Sequence, residues 1–504
     1  MDPLALTLPP TDQDPSLAMT EPAQLQDWLS TLPFTRLTDC VRQLVEALSQ
    51  LNRVPLDCTV RYRLLLQYLA TIDHYYPALE GEMQQGDPTT SMRARQATRL
   101  GLQLFVALHT GFKRALSDRL AKRGFLERDQ PKIDLAAYTL LTARQIIYIA
   151  AGHYASVGEG FWHDCHTIYC TVREAGWADR PSIVEDTLEV LYLQILLMGI
   201  TPSKGLTEAE FYPAQQIILQ YASSACLIPV EELAGPMAGF YVHCNHDTPP
   251  RWLGGEGSQQ ADWLLDVSRL AEHLHERQMQ LEQIKGSSPA SGPVETELAL
   301  VRRLTHEWRH PPRRRHTRLP LGERVAAISQ LIPIWQYLQA QAGRPLPGVP
   351  FVKPAQMEVV NQSPLGFLLR GHSQGYSLRV GELLLLHPPA KPTACTLCVI
   401  RWVALPADSD LLECGVEVLG RLPVPVLAMP TITHQADTLQ PALKLPGITK
   451  LGRPPLLLLP GRLFSRLREF RLQEDGDERL VRSTRLDRQT PHYQLMEFQD
   501  SAHF

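Results

Sequence analysis

The sequence predicts a multidomain α + β protein: an all-α, helical-hairpin amino-terminal domain, then a small antiparallel β-barrel, then a small carboxy-terminal β extension. Three observations carry this. Apolar residues recur at helical spacing from about 22 to 284; past 311 the recurrence shortens to two; and a small, polar, proline-containing stretch, GSSPASGPVE at 286–295, lies between the two regimes. With 504 residues, 44% of them hydrophobic, the chain is long enough for two or more buried cores.

Residues 1–21 show no period and are expected to be disordered; their opening MDPLALTLPPTDQD has neither the basic start nor the apolar run of a signal peptide. The domain over 22–284 is read from helical patterns in RLTDCVRQLVEALSQL (36–51), RYRLLLQYLATIDHYY (61–76) and RLGLQLFVALHTGFKRAL (99–116). Further helices are expected at roughly 133–156, 160–176, 182–199, 207–225 and 257–284, divided by turn-like pieces such as ERDQPK, ADRPS and TPPRWLGGEGS. FWHDCHTIYCTVREAGW, with Trp162, Tyr169 and Ala175, loosely echoes a tetratricopeptide repeat without its leucine and glycine positions. Residues 285–310 read as a linker and one short helix, TELALVRRLTHEWR.

Over 311–425 the short segments AQMEVV, GFLLRG, ELLLLH, CTLCVIRWVAL and LECGVEVLG, broken by Gly, Pro, Asn and Ser, describe antiparallel strands closing a barrel. LIPIWQYLQAQAG reads as a helix inserted between the first strand and the next. In 426–504, PPLLLLPGRLF, EFRLQ and HYQLMEF suggest a further small β unit.

A net charge of -4 with 20% charged residues excludes a broadly basic surface, so any anion site must be local. PPRRRHTRLP (311–320) supplies one, gathering Arg313, Arg314, Arg315 and Arg318 just before the barrel. The second informative stretch is VVNQSPLGFLLRG (359–371), whose Asn361, Ser363 and Gly366 fall in a turn between two strands. A carboxamide there can accept the N1 and N2 protons of a guanine, and a hydroxyl can donate or accept in less space. Gly366 would permit positive φ or close approach of a ligand.

These residues carry a resemblance. Arg314-Arg315-His316-Thr317-Arg318 matches the RxxxR motif of PilZ domains, Asn361-Gln362-Ser363-Pro364-Leu365-Gly366 matches their [D/N]xSxxG motif, and VGELLLL, VIRWVA and CGVEVLG sit where the later strands of that family lie. From about 310 to 425 the chain resembles a PilZ-type receptor for cyclic di-GMP, and with its long helical half it is most similar to the FimW-like group of such receptors. The resemblance implies that the arginines lie on a lead-in wrapping over the barrel, that Arg314 and Arg318 are the main clamps with Arg313 and Arg315 assisting, and that the turn motif holds guanine from the other side. Trp402 matches a position that in some members lies against a guanine face, although a tryptophan in a strand is more often part of a barrel core. The implied ligand is cyclic di-GMP, with no cofactor, no turnover and no nucleic-acid partner. A protein partner is expected through the helical domain, and the biology implied is bacterial control of type IV pili, attachment or motility. The chemistry fits, because a planar guanidinium meets O6 and N7 of guanine with two parallel bonds and meets phosphate with the same fork.

Other patterns are weighed beside this one. His163, His166 and Cys170 share a helix face, and His243, Cys244 and His246 are close in sequence, but neither group is a complete metal-ligand set. Cys395 and Cys398 form a CxxC in a strand pattern, where buried small side chains are expected. Nine cysteines, an odd number, suggest free thiols in a reducing compartment, and LEVLYLQILLMGI (188–200) is too short to cross a bilayer, so the cytoplasm is expected. The alternatives are a ligand-free PilZ-like adaptor, an RNA binder using the arginine run, and a metal-dependent enzyme in the helical half.

Overall fold

The computed structural model describes residues 4–122, 128–254, 258, 260–287, 292–311, 316–346, 348, 350–372, 377–405, 411–432, 439–447, 454–461, 463–490 and 492–501. The chain divides into two compact units between residues 313 and 314.

The first unit is built from α1 (Pro22–Ser30), α2 (Leu37–Leu51), α3 (Cys58–Gln84), α4 (Met92–Ala121), α5 (Gln130–Gly152), α6 (Phe161–Glu174), α7 (Leu188–Ile200) and α8 (Glu208–Tyr221). Polar caps fix several starts. Asp57 accepts the Thr59 N–H at α3, the Ser91 hydroxyl accepts the Ala94 N–H at α4, and Thr207 with Glu210 forms a capping box at α8. α7 is apolar on all sides and is buried on nearly all of them, which makes it a core helix. No helix among the described residues is long and apolar enough to cross a membrane.

Three expectations are corrected here. Residues 22–284 are not helical throughout: β1 (Cys226–Pro229), β2 (Gly239–Val242), β3 (Arg251–Leu253) and β4 (Trp263–Asp266) form an antiparallel sheet in the order β1-β4-β2-β3, and α9 (Ser268–Ser287) starts later than 257. Strands of three or four residues are too short to display alternation.

The segment before 22 is ordered where it is described. Thr7 donates its N–H to Asp164 Oδ1 at 2.8 Å and accepts from Lys113 Nζ at 2.8 Å, while Arg53 grips Asp12 with two bonds of 3.0 and 2.6 Å. Docking through main-chain groups leaves no hydrophobic period to read. Finally, the helix expected beside a linker, α10 (Gly292–Arg309), is an integral part of the unit. It pairs with α9 through Arg277–Glu297 (2.7 Å) and Arg302–Glu282 (2.6 Å), and its Trp308 is fully buried with Nε1 donating to Thr201 Oγ1 at 3.2 Å. Of the linker, residues 288–291 lie outside the described residues.

The second unit holds two closed antiparallel barrels. The first uses β5 (Leu319–Ser329), β6 (Ala355–Ser363), β7 (Gly366–His372), β8 (Leu383–His387), β9 (Thr396–Ala404) and β10 (Leu411–Arg421), closed in the order β10-β7-β6-β5-β8-β9. The second uses β11 (Val424–Pro430), β12 (Gln440–Leu445), β13 (Leu456–Leu459), β14 (Glu469–Glu474), β15 (Asp477–Gln489) and β16 (Gln494–Asp500), closed in the order β11-β12-β13-β16-β15-β14. What the sequence suggests as an extension is thus a complete barrel with its own core, including Val426, Phe470, Val481, Met496 and Phe498. The inserted helix α11 (Leu331–Gln341) follows β5 as expected and packs Ile334, Trp335 and Leu338 into a cluster shared with Leu443, Leu458 and Tyr493 of the second barrel. Trp335 Nε1 donates to the Val426 carbonyl at 2.8 Å, joining the two barrels.

Candidate ligand site on the first barrel

The β6–β7 hairpin turns through Pro364 and Leu365, with Ser363 paired to Gly366 and the Ser363 hydroxyl donating to the Gly366 carbonyl at 3.3 Å. Sheet register decides what this hairpin displays, since directly paired residues on neighbouring strands share a face. Val359 pairs with Leu369, and both are buried in the barrel. Strict alternation would send Asn361 to the same interior, but a bulge at Val360 intervenes and Asn361 pairs with Leu368 instead. Asn361 and Ser363 therefore emerge on the outer face.

The same register runs across the sheet. Pro320 of β5 pairs with Asn361, Asn361 with Leu368, Leu368 with Gly415 of β10, and Gly415 with Trp402 of β9. One cross-strand row on the outer face thus carries the carboxamide and the indole, three strands apart along the six-stranded barrel. Trp402 is half-buried on this outer face, which removes it from the barrel core. Its ring rests on the bare backbone of Gly415, where an added Cβ would fall 2.0 Å from the indole Nε1.

Leu319 pairs with Gln362, so Arg318 directly precedes β5 at the end that lies against the Asn361–Ser363 end of β6. Among the described residues, neither the Arg318 guanidinium nor the Asn361 carboxamide has a hydrogen-bonding or ionic partner within the chain, which leaves both available to a ligand. Arg313, Arg314 and Arg315 lie outside the described residues. Gly366 does not supply the positive φ expected of it. It is required because a Cβ would lie 2.0 Å from the Val416 carbonyl oxygen.

Sequence reasoning missed the charges around this row. Glu417, paired with Gly366, accepts two bonds from Arg488 of the second barrel at 3.2 and 2.7 Å and lies 3.5 Å from Arg401. Burial works to raise the Glu417 pKa, but the two guanidinium groups outweigh it and hold the carboxyl below its ordinary value. Arg401 stands next to Trp402 in the sequence, the one signal that pointed to it. Beside the hairpin opens a cleft of about 620 Å³, bounded by Thr317, Ser363 and Leu365 of the first barrel and by Leu445, Pro446 and Pro454 of the second.

The other sequence candidates are structural. His166 uses both ring nitrogens, one on the Tyr192 hydroxyl at 2.6 Å and one on the Thr248 carbonyl at 3.0 Å, and His163 reaches the Ala5 carbonyl at 3.2 Å. His243 stacks on His246 with centroids 4.9 Å apart. Cys395 and Cys398 are both buried free thiols; burial pushes the Cys395 pKa up to about 11.

Residues 23–230 match the family model described as the N-terminal domain of the cyclic-di-GMP receptor FimW, and residues 426–501 match the FimW C-terminal beta-barrel domain. The barrel that carries the candidate site lies between them. The chain is also similar to the cyclic-di-GMP receptor FimW of Pseudomonas aeruginosa, 22% identical over 581 aligned positions that cover 99% of this chain and 94% of that protein. With FimW domain models matching more than half of its length and FimW aligning from end to end, the chain belongs to the FimW family.

Proposed function

We propose that this protein is a cyclic di-GMP receptor that binds the nucleotide on the outer face of its first barrel. The observation that supports the reading is the register that pairs Leu319 with Gln362 and Pro320 with Asn361, bringing the chain that leads in through Arg318 to the motif end of β6, in a cross-strand row that continues to Trp402. Guanidinium, hydroxyl, carboxamide and indole are the groups needed to fork a phosphate or guanine edge, read N1 and N2, and cover a base face. The Pseudomonas aeruginosa relative is a cyclic-di-GMP receptor by name, which points to the same ligand. If each bidentate arginine contact contributes about 1–3 kcal/mol, two of them with the Asn361 and Ser363 bonds approach the roughly 8 kcal/mol of micromolar affinity.

The arginine run spans the point along the chain at which the two units divide, so gripping a nucleotide with it would restrain that junction. In this reading the output is a change in domain arrangement that exposes or covers a partner surface on the helical half. The reading places the receptor in a bacterial cytoplasm, without turnover, controlling type IV pili, attachment or motility. Calorimetry with cyclic di-GMP tests it. Wild type is expected to bind in the micromolar range, with Arg318→Ala and Asn361→Ala each at least about tenfold weaker, one such loss being about 1.4 kcal/mol. An absence of heat with wild type refutes the reading in favour of a ligand-free adaptor. Binding that falls steeply with salt and is indifferent to guanine refutes it in favour of RNA.

A further inference from the structure

We propose that the cleft between the two barrels is the seat of one guanine base, so that the second barrel forms a wall of the nucleotide site and Arg421 reads the edge of that base. The inference rests on the cyclic di-GMP reading and extends it to a subsite and to residues outside both sequence motifs.

Continuity is the first argument. Ser363 belongs both to the outer-face hairpin and to the cleft wall, and Thr317, next to Arg318, also lines the cleft. From Asn361 to Ser363 is two residues along β6, about 7 Å. A dinucleotide held at Asn361 therefore has its other half within reach of the cleft.

Chemistry is the second. A purine presents apolar faces and a polar edge, and the cleft offers Leu365, Pro446 and Pro454 as apolar walls with few polar groups among them. One of those polar groups is Arg421, at the end of β10. Other arginines around the sheet are answered by carboxylates: Arg370 by Glu413 at 2.8 Å, Arg488 by Glu417 at 2.7 Å. Arg421 has no such partner among the described residues. A fork without a carboxylate, at the rim of an apolar slot, matches O6 and N7 of a guanine.

Size and rigidity are the third. The volume of about 620 Å³ falls within the range of small-molecule pockets. The base of the cleft is fixed, since Gly420 lies so close to the second barrel that a Cβ there would come within 2.9 Å of Leu445. The Arg488–Glu417 and Trp335–Val426 contacts hold the two walls together. Such a slot needs little ordering to receive a flat ring.

The test uses the full-length chain and calorimetry with cyclic di-GMP. Pro446→Trp fills the cleft from the second barrel and Pro454→Trp fills it independently; both positions are exposed, so the fold should tolerate them, with thermal unfolding as the control. Arg421→Ala removes the edge reader, with Arg421→Lys as the conservative variant. Each tryptophan is expected to weaken binding at least about tenfold, and Arg421→Ala about tenfold with only partial rescue by lysine. If wild type binds and the folded tryptophan variants bind equally well, the subsite is wrong while the receptor reading stands. If they weaken binding but Arg421→Ala does not, the assignment of Arg421 falls. If wild type gives no heat, the receptor reading fails and the subsite with it.

Discussion

Asn361 and Ser363 were legible as a motif, but the reason they face outward was not, because it depends on one extra residue, Val360, in a strand whose neighbours alternate normally. The glycines show the same limit. Gly366 and Gly415 look from the sequence like turn or strand punctuation, yet both are there to let something approach: the Val416 carbonyl at one, the Trp402 indole at the other. Their substitutions should differ in cost. A Cβ at Gly366 meets backbone that is locked in the β7–β10 ladder, whereas one at Gly415 meets a side chain that can swing into solvent. Gly366→Ala is expected to destabilise the chain by about 2–3 kcal/mol and Gly415→Ala by about 1 kcal/mol, measured by urea unfolding. Gly415→Ala should also weaken nucleotide binding through loss of the seated indole. An equal or reversed order would show that the two contacts are not what selects glycine.

Elements with a sustained period were the readable ones. The helices of the first unit bury a stripe that repeats over many turns, so they announce themselves, while β1 to β4 are too short and the docked segment 4–18 has no period at all. The second barrel was obscured differently: outward arginines on β14 and β15 make its strands look polar. Several of these charges are answered on a neighbouring strand, as Arg482 by Glu469 at 3.2 Å and Arg471 by Glu478 at 2.7 Å. The helical elements also carry an acid sensitivity. Burial lowers the pKa of His153 and of His166 from 6.5 to about 4, and that of His109 well below 6.5. Between pH 6.5 and about 4 the unfolded chain binds protons that the folded helices refuse, so stability is full above 6.5 and is lost as pH falls towards 4. Thermal melts followed by circular dichroism should show a falling midpoint across that window, worth on the order of a few kcal/mol. His153→Leu should flatten part of the slope, and a flat profile in wild type would mean that these imidazoles are not excluded from protonation.

At the scale of the whole molecule, the sequence placed the arginine run before a barrel and the polar turn within it, but gave no register between them. The gap is long because α11 is inserted, and only the β5–β6 ladder, through Leu319 with Gln362 and Pro320 with Asn361, shows that the start of β5 nevertheless returns to the motif end of β6. α11 leaves from the end of β5 opposite to this meeting point, and it contributes no residue to the cleft. Every described residue of the proposed site lies within 317–456, inside a unit that closes two barrels around cores of its own. A chain of residues 311–504 should therefore fold alone and bind cyclic di-GMP within about threefold of the full-length affinity, a difference under roughly 0.7 kcal/mol. The helical half would then act on output rather than on recognition. If instead the shortened chain folds, as judged by a cooperative melt, and binds more than about tenfold more weakly, the first unit supplies part of the site and the division between sensing and response moves across the junction.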